Sequence, residues 1–468
     1  MACLLLSHQI PKKQDVARLL LPTIAYLAAL LTMSARAADD AAVAPAGAAD
    51  QATEAAASAS PDPVAHVARL IRDLGHESFS ARQAADTELL SLGKAGREQL
   101  EIAGRSPDPE VRARALDLLR RIKVEELWYG TRVSLSGDEQ PATALVQQLA
   151  AASHNKLVIG EGYEAFRDKP IRLSPDEQFF WQALDDLCRK SGNQVRPHYD
   201  TREAALIISA GTTSQAPVAY AGPVRIEATS ARREFREDLH YKQTERRATH
   251  TFQLNLQAMW ESSFRLVAYR VQPDVVEAVT DAGQRLALCV SATGWNVCGP
   301  ETRQVPLELK LHPPTVAAER LERLHLRWNL LAVGDFASLE IGDFTKREPY
   351  QQDDIEVVIE DQQTIESNQF QITLLVARPY AVPEPHEVLF QENRFELLGA
   401  DDKPWGLANQ VQEMHGGAVR AKLTFRRPSG VAATDQPLKL KVHYPRIRSQ
   451  RALDLVLTGV PLPHARPE

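Results

Sequence analysis

The hydrophobic period of this 468-residue chain changes near residue 218, and the change limits what each part can build. Beyond that point apolar and polar residues alternate. Phe252, Leu254, Leu256, Ala258 and Trp260 are separated by Gln253, Asn255, Gln257 and Met259. The same alternation recurs at Leu307-Leu309-Leu311, Ile355-Val357-Ile359 and Phe370-Ile372-Leu374. It returns at Val419-Ala421-Leu423-Phe425, Leu438-Leu440-Val442-Tyr444 and Leu453-Leu455-Leu457. One apolar and one polar face per strand is the signature of antiparallel sheets packed face to face. A sandwich needs roughly 100 residues, so this stretch is generous for one. We expect a β-sandwich-like domain over 218–380 and a β-rich C-terminal region over 381–468 that could form a second sandwich. Pro379 to Pro385 is a candidate boundary, as is Pro313-Pro314.

Between residues 62 and 127 the spacing is helical. Asp62-Pro63 and Asp108-Pro109 each place a capping residue before a first-turn proline. Val111, Ala115, Leu118, Leu119 and Ile122 follow the second at helical intervals. An echo appears thirty residues apart: Arg82, Ala85, Leu89 and Leu92 match Arg112, Ala115, Leu119 and Ile122, with Ser78 opposite Asp108 as the cap. The D-P-E-V-R form at Asp108 to Arg112 resembles the helix openings of HEAT or armadillo-like repeats. That resemblance implies a short helical module over 62–127, with a protein-binding face or a packing role.

Over 130–210, Arg132 to Leu135, Leu157 to Ile159 and Lys169 to Leu173 read as strands, and Ala142, Leu145, Val146 and Leu149 mark an amphipathic helix. Ser174-Pro175-Asp176-Glu177 has the form of a capping box. Phe180, Leu184, Leu187 and Cys188 line one face of the helix expected after it, and Gly192 closes that helix. Strands at Gln194 to His198 and Ala205 to Ser209 complete a βαβ–βαββ order. The stretches "AAASHNKLVIG" and "PIRLSPDEQFFWQALDDLCRKSGNQV" resemble the short N-terminal domain of secretins and TonB-dependent receptors. The resemblance implies a module that binds protein partners or sits in an envelope assembly. The expected fold class is therefore multidomain α+β: a short α-helical repeat module, a small βαβ–βαββ domain, then antiparallel β-sandwich domains.

The chain opens with Lys12, Lys13 and Arg18, an apolar run from Leu19 to Met33, and Ala35-Arg36-Ala37. This is the pattern of a secretory signal, with cleavage expected between Ala37 and Ala38. The run is shorter than the roughly 20 residues a membrane helix needs, and no later stretch reads as a membrane span. Residues 38–61 are Ala-rich with almost no large apolar side chains, and read as a disordered tether. The chain carries a formal charge of −7; residues 1–37 hold four basic residues and one acidic, so the remainder carries −10. That balance argues against a nucleic-acid partner, which needs a cationic face. The basic run Ala231 to Arg247 is diluted by acidic residues and reads as a solvated strand edge or loop.

Three cysteines follow residue 37. The Cys289–Cys298 spacing suits a disulfide across a short loop containing Gly294, and Cys188 reads as a buried thiol. No nucleophile elbow, phosphate-binding glycine loop or zinc helix motif occurs in the sequence, and no catalytic, metal or cofactor residue is assigned. Ser153-His154-Asn155-Lys156 has a bare S-x-x-K spacing but reads as a turn at a helix end. Asp353, Asp354, Glu356, Glu360 and Asp361 read as a solvated strand edge rather than a calcium loop. Together these features point to a non-enzymatic, periplasmic or secreted protein that binds envelope or periplasmic proteins. The alternative is an exported hydrolase acting on envelope polymers with a site assembled from distant residues.

Overall fold

Two helical hairpins are built alike because the same local chemistry recurs thirty residues apart. In the first, α1 (Pro63–Asp73) leads to α2 (Phe79–Leu92); in the second, α3 (Arg97–Ala103) leads to α4 (Pro109–Trp128). Leu74 donates its N–H to Leu70 O and Gly104 to Leu100 O; His76 donates to Asp73 O and Ser106 to Ala103 O. The Arg82 guanidinium then holds His76 O at 2.6 Å, and Arg112 holds Ser106 O at 2.8 Å. Leu70, Ala85 and Leu89 share one core with Leu100, Ala115, Leu119 and Ile122. The two caps differ. Asp108 accepts from the N–H groups of Glu110 and Val111, whereas the Ser78 hydroxyl is turned to Ser80.

These elements belong to a computed structural model that describes residues 63–463. Within that span it leaves out 161, 163–166, 199–204, 212–215, 241–244, 300, 367, 379–393, 400–401, 416–417 and 430–436. The signal segment with Ala37 and Ala38, the tether, the Asp62 cap and the Pro379 to Pro385 boundary lie outside the described residues. What is described is a multidomain α+β architecture that mixes helices with extensive antiparallel and mixed sheet. No helix among the described residues is long and apolar enough to cross a membrane.

The chain next forms β1 (Arg132–Val133), β2 (Gln140–Pro141), α5 (Ala142–Ser153) and β3 (Leu157–Ile159). It continues as β4 (Pro170–Ile171), β5 (Gln178–Phe179), α6 (Phe180–Ser191), β6 (Asn193–His198) and β7 (Ala205–Ala210). β7 pairs in parallel with β3 and antiparallel with β6. The Ser174 capping box does not open α6. Ser174 instead accepts the Asp176 N–H across a local turn, and Gln178–Phe179 is held as a strand against β1. The helix therefore starts at Phe180, where the Gln182 side chain accepts the Phe179 N–H. Gly192 ends it in the left-handed region at φ +78°, as its sequence position predicts.

The β region begins with β8 (Val218–Ala221), β9 (Val224–His240), β10 (Glu245–Trp260), β11 (Arg265–Arg270), β12 (Asp274–Thr280), β13 (Trp295–Val297) and β14 (Gln304–Leu311). It continues with β15 (Arg320–Ile341), β16 (Tyr350–Gln352), β17 (Ile355–Glu366), β18 (Gln369–Ala377) and β19 (Arg394–Leu398). β20 (Pro404–His415), β21 (Ala418–Arg426) and β22 (Lys439–Pro461) complete it. One sheet runs β14-β10-β9-β8; the other joins β13, β11, β15, β22, β19, β20, β21, β18, β17 and β16 in that order, with β12 also on β15. The expected alternating segments lie on these strands except for Leu438, which stands exposed just before β22, and the last two share that single strand. β15 lies outside those segments. It pairs with β22 from Arg320↔Pro461 to Ile341↔Leu440 without a register shift, a ribbon about 70 Å long at roughly 3.3 Å per residue.

That ribbon serves two cores. Leu321 to Ala332 and Leu453 to Leu462 line the first, with the apolar faces of β9, β10 and β14. Leu339, Ile341, Leu440, Val442 and Tyr444 line the second, with β17, β18, β19 and β21. The division expected at 380/381 does not separate these cores. Both long strands contribute to both, and the second core is inserted between the halves of the ribbon. At the crossover α4 is fastened down: Trp128 donates to Ser449 Oγ at 2.9 Å, Arg451 meets Glu125 at 2.6 Å and Lys123 meets Asp335 at 2.9 Å.

The cap difference is measurable. Asp108→Ala is expected to destabilise by about 1 kcal/mol through loss of a working cap, and Ser78→Ala by much less, compared by urea unfolding. Equal losses would contradict the cap assignment.

Candidate functional site

The α/β module and the β region meet along α6 and the β8–β9 hairpin. Trp181, fully buried on α6, donates its indole N–H to Pro223 O at 2.8 Å. At the hairpin tip the backbone passes so close to the end of α4 that side chains are excluded. A Cβ on Gly222 would lie 2.1 Å from Trp128 O, and one on Gly130 would lie 2.2 Å from Gly222 O.

Behind this contact Asp185 of α6 accepts from the Tyr220 hydroxyl and from Arg225 Nε, both at 2.7 Å. Arg225 Nη1 also reaches Glu227 at 2.7 Å, and its side chain is only 5% exposed. Burial alone would pull the Arg225 pKa down, but the two carboxylates hold the guanidinium charged and raise it. Burial, then the Asp185 charge, pushes the Tyr220 hydroxyl upward. The same two causes push the Cys188 thiol up to about 12, consistent with an inert buried cysteine.

The cavity in front of this network has a volume of about 600 Å³. Asn193, Gln194 and Val195 of β6 form one wall and Val218 and Tyr220 of β8 the other. Each strand is the edge of its own sheet. Ala228 donates its N–H to Pro217 O, so antiparallel alternation turns the N–H groups of Val218 and Tyr220 to the open side. On β6, Pro197 lacks an N–H and is tolerated because the strand is an edge. Two sheet edges thus line one groove, and its floor carries a polar network of one guanidinium and two carboxylates.

A second junction fixes the module from its other end. Glu261, 1% exposed, follows Trp260 at the end of β10. It accepts from the Thr131 N–H at 2.9 Å, the Thr131 hydroxyl at 2.5 Å and the Asn155 amide at 3.1 Å. Asn155 Oδ1 in turn accepts from the Ser262 hydroxyl at 3.0 Å. Burial raises the Glu261 pKa despite these donors. Ser153 to Lys156 therefore forms a turn whose Asn155 ties two modules together. His154 takes φ +55° there, and Ser153 bonds back to Leu149 O.

The other sequence candidates are dispersed. No disulfide joins Cys289 and Cys298, contrary to the expected bridge. The Cys289 N–H bonds to Lys310 O on β14, and the Cys298 N–H to Val267 O on β11, so different sheets hold them. The acidic cluster is not a solvated edge throughout. Asp353 accepts from Tyr444 and Arg446, and Glu360 from Arg420. Asp354 sits 3.7 Å from Arg378 and 3.8 Å from Arg448. Among the described residues no group of three or more His, Cys, Asp or Glu could hold a metal ion. The described residues of the basic run, 231–240 on β9 and 245–247 on β10, lie beyond the pairing with β8, and from Glu234 outward they lie beyond the pairing with β14 as well. No family model, curated protein or solved structure matches the chain.

Two substitutions separate the locks. Arg225→Ala leaves Asp185 and Glu227 partly buried without their cation, and a loss of about 3–5 kcal/mol in unfolding free energy is expected. Glu261→Ala strips the acceptor from buried donors that cost about 1–3 kcal/mol each when unpaired. The raised folded pKa sets the sign of the pH dependence for Glu261. Its contribution is full below the ordinary glutamate range and is lost as pH rises through the folded value. The destabilisation by Glu261→Ala should therefore shrink from acid to neutral pH in paired thermal melts. A cost that grows with pH would refute the assignment.

Proposed function

We propose that the chain is an exported, non-enzymatic protein of the periplasm or cell envelope that binds another protein by strand addition between β6 and β8. The observation that carries this reading is the pair of sheet edges lining one groove of 600 Å³. Main-chain donors on such edges supply affinity for an extended segment, and pockets beside them supply selectivity. Export is supported by the basic start, the apolar run from Leu19 to Met33 and the Ala35-Arg36-Ala37 site.

The surrounding modules fit a binding scaffold. Hydrogen bonds repeated at a thirty-residue offset support reading 62–127 as HEAT-like. The order of β1 to β7 around α5 and α6 supports the secretin-type short domain for 130–210. A core shared by β9, β10 and β14 with β15 and β22 supports a sandwich in the β region.

The test uses Val218→Pro, which removes one outward N–H without removing a β8–β9 hydrogen bond. Envelope proteins captured on the purified chain are identified, and the extended segment of the partner is made as a synthetic peptide. The expected result is peptide binding that Val218→Pro weakens by about tenfold or more, a loss of about 1.4 kcal/mol. Peptide binding that is indifferent to Val218→Pro would reject the groove. Intact mass of the exported form is expected to begin at Ala38, and an unprocessed cytosolic mass would reject export.

A further inference from the structure

A second edge lies in a different sheet from either wall of that groove, and a single bulge is nearly all that guards it against pairing. β20 meets β19 only at Leu397↔Trp405 and Leu398↔Pro404. From Gly406↔Arg426 to His415↔Ala418 it pairs with β21 alone. Among the described residues, no strand pairs with the opposite side of Gly406 to His415. Leu407 and Val411 are each 44% exposed on this stretch, and Glu413 is its only Asp, Glu, Lys or Arg.

Exposed edges in water are normally blunted by charge, proline or a bulge. The open part of β17 carries Glu360, Asp361 and Glu366, and the open part of β9 carries Arg232, Arg233, Glu234 and Arg236. β12 carries Asp274 and Glu277, and β14 carries Glu308 and Lys310. β20 has only a bulge between Leu407 and Asn409, which leaves Asn409 to His415 regular.

The geometry points to a second copy of this chain as the occupant, paired antiparallel along β20 about a twofold axis. Such an interface is made of the same strand twice, so the strand must be complementary to itself. β20 meets that condition. Every twofold register within Asn409 to His415, except one centred on Glu413, sets Glu413 opposite an uncharged residue or His415. The remaining positions are Asn409, Gln410, Val411, Gln412 and Met414, which bring no like charges together. The paired edges would continue the large sheet from one protomer into its partner.

Sedimentation of the purified chain across the micromolar range is expected to show a concentration-dependent dimer. Asn409→Glu combined with Val411→Glu places three carboxylates along one face of the edge. Position 411 stands opposite Lys422 of β21, which can accommodate the new charge within the protomer. Repulsion between copies is expected to weaken the dimer by about tenfold or more, while Val290→Glu on an exposed loop leaves it unchanged. Hydrogen exchange on the unaltered chain gives a readout that does not depend on a variant folding. Amides of Gly406 to His415 should gain protection as concentration rises. A monomer throughout the range, a dimer indifferent to the double substitution, or protection confined to another strand would overturn the proposal.

Discussion

A single antiparallel ribbon fixes the register of both β cores. Because side chains on a strand alternate with period two, a one-residue slip moves every core residue to the opposite face. A slip of β15 on β22 would expel Leu324, Leu326 and Trp328 from the first core and strand the Leu440, Val442 and Tyr444 set of the second. Each core therefore selects the register that the other needs. The paired residues lie about a hundred or more positions apart in sequence, so loop closure must precede most of the reward, a feature of slow-folding topologies. At the waist between the cores, Gly334 leaves room for α4: a Cβ there would meet Leu127 at 3.3 Å.

The attachment of the α/β module follows a different logic. Met259 of β10 reaches into the core of that module, which supplies apolar continuity. Orientation is set by two buried polar clusters, one around Glu261 and one around Arg225. A buried ion pair seldom adds much stability over a well-packed apolar substitute, but breaking it leaves an uncompensated charge. Wrong dockings of the module would leave Glu261, Asn155, Asp185 or Arg225 without partners. With both clusters satisfied, β6 and β8 are held in one relation. A groove already formed in this way spares a ligand the cost of ordering its walls.

Local chemistry was legible in the sequence and long-range pairing was not. The alternating segments lie on strands because one face of each packs into a β core; the other face is mostly wet, although Gln253 and Met259 of β10 are covered too and Leu438 stands exposed just before β22. Asp108 caps its helix because the donors it serves lie only two and three residues further along the chain. β15 was harder to see although Leu324, Leu326, Trp328, Leu330 and Ala332 alternate. At its waist Leu331 and Val333 are buried as well, so the period fades where both faces are covered. Ser174 misled because a turn and a helix start use the same side-chain acceptor, and only the pairing of β5 with β1 decides between them. The groove left no local trace. β8 is four residues long, too short for periodicity, and Asp185 finds Arg225 forty positions away.

Which strands become edges is likewise a tertiary outcome, yet their composition is consistent with it. An unpaired edge exposes a row of donors and acceptors, and charges along it keep other chains away. β9, β12, β14 and β17 carry such charges where they lack a neighbour, and β6 carries Arg196 and Pro197. Val218 to Ala221 of β8 carries none, and the open stretch of β20 carries one. A strand that must stay apart from everything in water gains from charge; one that is to be covered loses by it, since each charge would have to be desolvated. The same physical criterion therefore separates the edges of this molecule into guarded and unguarded sets. β8 and β20 fall in the second, on different sheets, together with the three-residue edges β3, β13 and β16; β8 and β20 are the edges we propose for a heterologous strand and for a second copy of the chain.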